Sequence, residues 1–308
     1  MYNKFLHRFS VFVAVCIYFL LFAGGLVTST GSGLSVPDWP NTYGENMFAF
    51  PLSQMVGGIL FEHGHSLLAS FVGFLTVILA FWIWKKDARL WMRKLGFVAL
   101  GVVIVQGIFG GITVKYYLPQ FVSATHATLA QTFFCIVTSI ALFTSREWFT
   151  PTDNTVQDDS TPSLYSITTI LTTTTFVQLI AGALLRHSGS ITSWYLYLHI
   201  TGAIAVLYFG TKAYKKIKSA TDNSLILFPS TMFFILLQVQ IGLGIASFFI
   251  RYFTLDDVNT NWVSVITTVL HLATGAGMLA TSLVVSLRIR RYYKTAHQTS
   301  ENFSFAIK

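Results

Sequence analysis

The stretch Phe61-Glu62-His63-Gly64-His65-Ser66 lies just inside a long apolar run of the sequence. Residues three apart share a helix face, so the Glu62 carboxyl group and the His65 imidazole are predicted to lie on one side of a helix. An ionisable side chain inside the hydrocarbon of a membrane is costly and by default indicates a functional site. Three other apolar runs carry a histidine at a comparable position, namely His126, His199 and His271. The pattern therefore predicts four buried imidazoles on four separate helices.

The composition indicates an integral membrane protein. Of the 308 residues 53% are hydrophobic and only 10% are charged, whereas a soluble domain carries about a quarter charged residues. The net charge of +8 would suit a nucleic-acid partner, but the basic residues stand in short gaps between apolar runs, which is typical of membrane topology and argues against nucleic acid. The two cysteines, Cys16 and Cys135, both lie in apolar runs. Their number and location argue against a disulfide framework and a zinc site.

Eight apolar runs are long enough to cross a bilayer, which takes about 20 residues as a helix. The predicted fold class is an all-α integral membrane protein with eight transmembrane helices. The gap sequences predict no cleavable signal peptide after the first run. The runs are 10–29, 57–84, 95–114, 122–144, 164–185, 194–211, 224–250 and 262–287.

The gaps between the runs alternate in charge. Counting by alternate gaps puts 17 of the 20 basic residues on one side of the membrane and leaves Lys115, Arg186 and Arg251 on the other. By the positive-inside rule both termini are predicted to be cytoplasmic, in a multi-pass protein of the cell membrane.

The chain is predicted to consist of two tandem four-helix bundles in a parallel repeat. His65 to Gln106 is 41 residues and so is His199 to Gln240, and each glutamine is followed four residues later by a glycine. Duplicated membrane bundles commonly place equivalent sites in each half. The predicted parts are an N-terminal bundle, 1–149, a flexible cytoplasmic linker, 150–163, a C-terminal bundle, 164–290, and a cytoplasmic tail, 291–308.

The four histidines are predicted to lie at matched depth, roughly 8–14 Å below the outer surface at the rise of an α-helix. Two imidazoles on facing helices can hold an iron porphyrin from both sides. The absence of a CxxCH sequence predicts that such a haem is held without covalent attachment. Nearby glycines such as Gly110 and Gly244 would admit a flat macrocycle, although small residues also serve close helix packing alone. A packing role is the alternative for each histidine taken singly.

Glu62 breaks the symmetry of the two halves. It is the only acid within an apolar run, and the position three residues before His199 is Leu196. A desolvated carboxyl group in one half alone makes Glu62 a candidate proton donor or acceptor, with a hydrogen-bonded structural role as the alternative. Arg186 and His187 open an outer loop, where they either contact haem propionates or mark the interface. His63 is interpreted as a lining or interfacial residue.

The ordered motifs resemble the haem A synthase family over essentially the whole chain. The histidines of the sixth and eighth runs, His199 and His271, extend the likeness. The other motifs are Gly24-Gly25-Leu26-Val27-Thr28, Thr30-Gly31-Ser32-Gly33, Pro37-Asp38-Trp39-Pro40, Glu62-x-x-His65, Thr125-His126-Ala127 and Leu184-Leu185-Arg186-His187.

The resemblance implies an oxidoreductase that converts the C8 methyl group of haem O to a formyl group by successive hydroxylations, making haem A for cytochrome oxidase. It implies that His65 and His126 flank the substrate haem, that Glu62 is the catalytic carboxylate, and that His199 and His271 ligate a haem b that relays electrons. Haem O synthase, an unidentified electron donor and a second copy of the chain are the candidate partners.

Two departures from the family pattern are present. Many bacterial members have a cysteine pair in the first outer loop, where residues 35–43 have none, and many have arginine after the first histidine, where this chain has Ser66. Two other classes stay open from the residues alone: a di-haem electron-transfer cytochrome and a haem chaperone. Glu62 discriminates among them, because electron transfer by itself needs no carboxyl group in one half.

Overall fold

A computed structural model describes residues 2–150, 156–190, 193–253 and 261–295. This part of the chain is mainly helical, with two short strands, two single-turn helices and loops of which residues 30–57 form the longest, and this confirms the all-α fold class. Each of its eight helices overlaps one of the predicted runs. The helices are α1 (Lys4–Ser29), α2 (Gly58–Lys86), α3 (Leu90–Lys115), α4 (Gln120–Phe143), α5 (Leu164–His187), α6 (Trp194–Ala220), α7 (Ser224–Phe253) and α8 (Trp262–Tyr292).

Seven of the eight described helices are long and apolar enough to cross a membrane, all except α6. Helix α6 begins with polar aromatic residues and His199 and ends with four lysines, which shortens its apolar stretch. Its crossing, and hence the count of eight, stays a prediction. Large apolar side chains such as Phe74 and Phe228 are 62% and 68% exposed, as expected where lipid replaces water. The chain is a multi-pass membrane protein.

Capping side chains mark the first residues of α1 and α8. The Asn3 side chain accepts hydrogen bonds from the backbone N–H groups of Phe5 and Leu6, so α1 begins at Lys4, several residues before its apolar run. Asn261 caps α8 in the same way, accepting from Val263 and Ser264. Asparagine is among the residues preferred at this position, because its side chain satisfies N–H groups that have no partner in the helix.

The helices pack as two rings of four. In the first, α1 to α4 contact one another in chain order and α4 returns to α1; in the second, α5 to α8 do the same, and the rings meet where α1 and α4 contact α8 and α4 contacts α5. Val13, Leu79 and Val137 are fully buried in the core of the first ring. Phe233 and Met278 are buried in that of the second. This order is what two bundles require, while the internal duplication and the domain bounds stay predictions.

We call the end of the bundle that carries residues 144–150 and 156–163 the linker end. Strand β1 (Val156–Asp158) pairs in parallel with β2 (Tyr293–Thr295) there. Asp158 accepts from the backbone N–H of Leu164, and Lys216 donates to the carbonyl of Pro162. Residues 156–163 of the predicted flexible linker are therefore tied to the bundle, because strand pairing and capping supply partners for their backbone. Residues 151–155 and 296–308, which include most of the predicted tail, lie outside the described residues.

An ion pair also joins the two rings at the linker end. The Arg288 guanidinium on α8 donates to both carboxylate oxygens of Glu147, at 3.0 and 2.8 Å. Arg291 donates to the backbone carbonyls of Glu147 and Thr150. These contacts fix the chain that leaves the first ring against the last helix of the second.

Candidate functional site

The four predicted histidines lie near the opposite end of the bundle, which we call the loop end because it carries residues 30–57. Each stands between the sixth and tenth residue of an even-numbered helix that starts there. At 1.5 Å rise per residue this is roughly 8–14 Å along the helix axis. The predicted matching of depth is therefore reproduced by the helix boundaries. The histidines are His65 on α2, His126 on α4, His199 on α6 and His271 on α8.

The second ring brings His199 and His271 into direct contact. Their imidazole centres are 6.2 Å apart and their planes are inclined at 69°. Metal–imidazole bonds are about 2 Å long, so two imidazoles on opposite sides of one metal ion have centres about 6 Å apart. In the first ring of helices, the imidazoles of His65 and His126 lie close enough to interact electrostatically. Each ring thus contains one pair of histidines.

Each histidine ring lies edge-on against a glycine of the preceding odd-numbered helix. A Cβ atom on any of these glycines would stand 3.0–3.2 Å from the Cε1 atom of the imidazole, tighter than ordinary van der Waals contact. A side chain at any of these positions would therefore press on the imidazole and require it to shift by a few tenths of an ångström. Gly110 and Gly244 were anticipated from the sequence, and Gly24 and Gly182 were not. The pairs are Gly24–His65, Gly110–His126, Gly182–His199 and Gly244–His271.

Three of these glycines are preceded, one helical turn earlier, by a glutamine that reaches the same histidine. The amide nitrogen of Gln106 is 3.4 Å from a ring nitrogen of His126, that of Gln178 is 3.1 Å from one of His199, and that of Gln240 is 3.3 Å from one of His271. Sequence reasoning missed Gln178, although its four-residue spacing to Gly182 repeats that of Gln106 to Gly110. The equivalent position on α1 is Leu20.

Glu62 lies in the first turns of α2, three residues before His65, and is only 6% exposed. One carboxyl oxygen accepts a hydrogen bond from the backbone N–H of Val36, at 2.6 Å. The residues three before the other histidines are Ser123, Leu196 and Thr268, so the asymmetry noted in the sequence holds. The pocket beside Glu62 is lined by Val36, Asp38, Trp39, Pro40, Asn41, Thr42, Met47, Glu62, His63, Ser66 and Val114.

The loop of residues 30–57 closes over this pocket. The buried His63 ring shares a hydrogen bond of 2.9 Å between its Nδ1 and the Thr42 hydroxyl, and it contacts the Phe50 ring. The Trp39 indole fills the space beside Gly111 of α3, where a Cβ would stand 2.5 Å from it. The interpretation of His63 as a lining residue becomes more specific, because its ring holds the loop.

Arg186 lies in the last turn of α5 and joins the two rings. Its guanidinium donates to the Ser29 hydroxyl of α1 at 2.6 Å. The Arg251 side chain lies close enough to Arg186 for their charges to interact. The same holds for His187 and His126. A positively charged group therefore stands between the rings near the histidines, where the sequence had left a propionate contact and an interface role open.

The residues present fit a haem in chemical terms. The Nδ1 atoms of His65, His126 and His271 are buried and have no hydrogen-bond partner among the described residues. Paired neutral imidazoles are common axial ligands of haem iron, and the glycine contacts keep the rings at the helix surface. The fold and the site define a class: a multi-pass helical membrane protein with two pairs of half-buried histidines and a buried carboxyl group beside one of the pairs.

The chain belongs to the cytochrome oxidase assembly protein family, whose family model matches residues 7–198. This confirms the resemblance carried by the motifs. Curated relatives named haem A synthase include that of Alkalihalophilus pseudofirmus, 32% identical over 40% of this chain and 41% of the relative. Those of Lysinibacillus sphaericus and Bacillus licheniformis are each 26% identical over 61% of this chain and cover 60% and 61% of the relatives. The chain thus spans about two fifths to three fifths of these relatives' length.

Proposed function

We propose that the protein is a haem A synthase, a membrane oxidoreductase that oxidises the C8 methyl group of haem O to a formyl group by successive hydroxylations. The observation that carries this proposal is the combination of a histidine pair with ring centres 6.2 Å apart and a single buried carboxyl group beside the other pair. The names of the relatives support the same activity.

His65 and His126 are assigned to the substrate haem O. The first ring of helices, which carries these two histidines, also contains the Glu62 carboxyl group, the pocket beside it and the loop over the pocket. These features suit a site of chemistry on a methyl carbon. His199 and His271 are assigned to a resident haem b, because their ring has no carboxyl group at the matching position. When bound, that haem supplies electron relay. The first bundle would then hold the haem that is oxidised, and the second bundle would hold the haem that relays electrons.

Glu62 is assigned the catalytic role, as a proton shuttle or as the group that stabilises positive charge developing near the methyl carbon. Its hydrogen bond from Val36 ties the carboxyl group to the closing loop. Loop residues line the pocket and leave the Glu62 side chain only 6% exposed. Shielding from solvent strengthens the electrostatic effect of a fixed charge.

Arg186 is assigned to the haem propionates. Its guanidinium stands at the loop end between the rings, where the carboxylates of a haem held by the histidines would need a cation. The proposed topology has both termini in the cytoplasm and the haem sites toward the outer side of the membrane. The distribution of basic residues supports this orientation.

The two departures from the family pattern find local substitutes. Without a cysteine pair, residues 35–43 are held by the contacts of Val36 with Glu62 and of Thr42 with His63. Ser66, which stands where many members have arginine, lines the pocket, and Arg186 supplies a cation from α5.

The test is pigment analysis of the purified protein from cells that also supply haem O. Acid–acetone extraction and mass analysis are expected to give haem b together with haem A or a hydroxylated intermediate. Haem b alone in two equal sites would favour an electron-transfer cytochrome. A colourless preparation would reject haem binding altogether. The exposed loop variant Glu45→Gln serves as the matched control for Glu62→Gln, since only the latter should abolish the oxidised pigments.

A further inference from the structure

The loop over the pocket has apolar side chains on both of its sides. On the inner side Met47 lines the pocket, and Phe50 is buried against the His63 ring. A second set of large apolar side chains points away from the protein, and each is between 64% and 80% exposed. Contiguous exposed apolar surface indicates an interface with lipid or with another protein. This exposed series recurs at every fourth residue and consists of Phe48, Leu52 and Val56.

The exposed series continues into the side of α2 that faces lipid. Residues 46–61 contain no acidic or basic side chain. Leu60, four residues after the last member of the series, is exposed near the start of α2. Phe71 and Phe74 follow on the same side of this helix, because 11 and 14 residues after Leu60 are close to whole helical turns, and both are exposed as well. An uncharged apolar surface therefore extends from the loop onto a transmembrane helix.

A contact of Met47 shows how deep the loop reaches. A bilayer core takes about 20 helical residues, so counting back from Lys85 in the last turn of α2 places the edge of the hydrocarbon near His65. Ser70 lies about 8 Å farther in, at the rise of an α-helix. The Ser70 hydroxyl is 3.9 Å from the Met47 sulfur. The Met47 side chain therefore reaches hydrocarbon depth, and Phe48, the next residue, lies close to that level.

The backbone of this segment suits an apolar setting. Irregular backbone at membrane depth has to find its hydrogen-bond partners within the protein, since no water is present there. The Asn46 side chain accepts from the backbone N–H of Phe48, and the Asn46 carbonyl accepts from that of Ala49, both at 2.9 Å. The turn at residues 51–55 adds two backbone hydrogen bonds, at 3.0 and 3.2 Å. These N–H groups are therefore paired without the help of solvent.

We propose that residues 46–56 form a flap whose exposed series inserts into the phospholipid leaflet at the loop end of the bundle. The depth of Met47 and the continuity with α2 favour lipid over a second protein as the occupant of this surface. Lipid on one side and the pocket on the other hold the flap closed, because moving it into water would expose both apolar sides. The inference goes beyond the proposed function, since it requires neither haem nor an activity.

The first test places a nitroxide label on the flap, with one protein copy per nanodisc of phosphatidylethanolamine and phosphatidylglycerol. Leu52→Cys is compared with Phe74→Cys on α2 and with Glu45→Cys, an exposed polar position of the same loop, all in a Cys16→Ala, Cys135→Ala background. The Leu52→Cys label should collide with oxygen as readily as the Phe74→Cys label. It should also be several-fold less accessible to a water-soluble nickel chelate than the Glu45→Cys label. Equal chelate access at Leu52→Cys and Glu45→Cys would overturn the inference, and so would exclusion of both reagents, which would indicate a cover of protein.

The second test adds a charge to the flap in the otherwise native chain. Leu52→Glu carries a carboxylate into the leaflet, which is costly, so the flap should open more often. Hydrogen exchange at the amides of Phe48 and Ala49 should quicken several-fold in the same nanodiscs. Gln54→Glu is the matched control, because Gln54 is an exposed polar residue of the same turn, and it should exchange as the parent does. Equal exchange in the two variants would contradict insertion. The labelled proteins decide the question if Leu52→Glu does not assemble.

Discussion

The imidazoles of His199 and His271, 72 residues apart in the chain, have ring centres 6.2 Å apart and planes inclined at 69°. Helices α6 and α8 start at the same end of the bundle, so two residues remote in sequence arrive at one depth. The spacing matches what two ligands of one iron require, at about 2 Å per metal–nitrogen bond.

His199→Ala and His271→Ala are each expected to remove the resident haem, because one axial ligand is lost from a bis-histidine site. The low-spin absorbance per mole of purified protein should fall to near zero. His65→Ala should retain that absorbance, since it alters the other pair. A folded His199→Ala protein with the parent's low-spin spectrum would refute the assignment.

Gly244→Ala is expected to weaken haem retention about tenfold, the magnitude found for groups that orient metal ligands. Its Cβ would stand 3.0 Å from Cε1 of His271 and push the ring away. Gly242→Ala on the same helix has nothing within 4 Å of the new methyl group and should retain haem as the parent does. The haem-to-protein ratio after gel filtration measures both. Equal ratios in the two variants would contradict a role for the glycine contact.

Glu62→Gln is expected to lower formyl production at least about 100-fold, the lower range for loss of a general acid or base. The amide oxygen can still accept from Val36, so the loop and the resident haem should be unaffected. Haem A formed per unit time by purified protein is the measurement. Full activity in this variant would exclude the catalytic role.

Thr42→Val is expected to loosen the closing loop while preserving its shape. The change removes the hydrogen bond to His63, worth about 1 kcal/mol in local stability. Hydrogen exchange of residues 36–48 should therefore quicken several-fold, with the helices unchanged. Thr28→Val, which removes a hydroxyl that bonds only within its own helix, is the control. Equal exchange in both would show that this bond does not hold the loop.

Asp87→Asn should destabilise the linker end at neutral pH. Asp87 follows α2 and is outside the spanning segments. Burial raises the pKa of its carboxyl group, but the hydrogen bonds and charge of Arg89 outweigh burial and hold the pKa below its ordinary 3.8. A depressed folded-state pKa contributes stability above the ordinary value, and the contribution is lost as pH falls through the folded-state pKa.

The thermal unfolding temperature in detergent measures this effect. The parent should exceed Asp87→Asn at pH 7, by about 2 kcal/mol in unfolding free energy for a charged hydrogen bond. The difference should shrink below pH 4 or so, where the carboxyl group approaches protonation. Asp159→Asn, an exposed carboxylate, is the control. A difference that grows on acidification would contradict the sign.

Sequence reasoning reached Glu62 and the four histidines because an ionisable group in an apolar run is conspicuous. It did not reach the contacts Val36–Glu62, Thr42–His63 and Arg186–Ser29. The partners stand 26, 21 and 157 residues apart. Such pairings depend on the path of a loop or on which helices touch, and hydropathy carries no signal for either. Gln178 was readable from its spacing to Gly182, but nothing in one helix alone shows which histidine it faces.

The sequence by itself determined the helical class, the positions of the apolar runs and the common depth of the four histidines. It could do so because a bilayer demands about 20 apolar residues for each crossing and satisfied backbone groups within each helix, whatever the neighbours are. The tertiary structure decided which histidines pair, which glycine each ring lies against and where the loop closes. Those contacts arise from the close fit of helix surfaces in an apolar medium, and that fit exists only once the helices have come together.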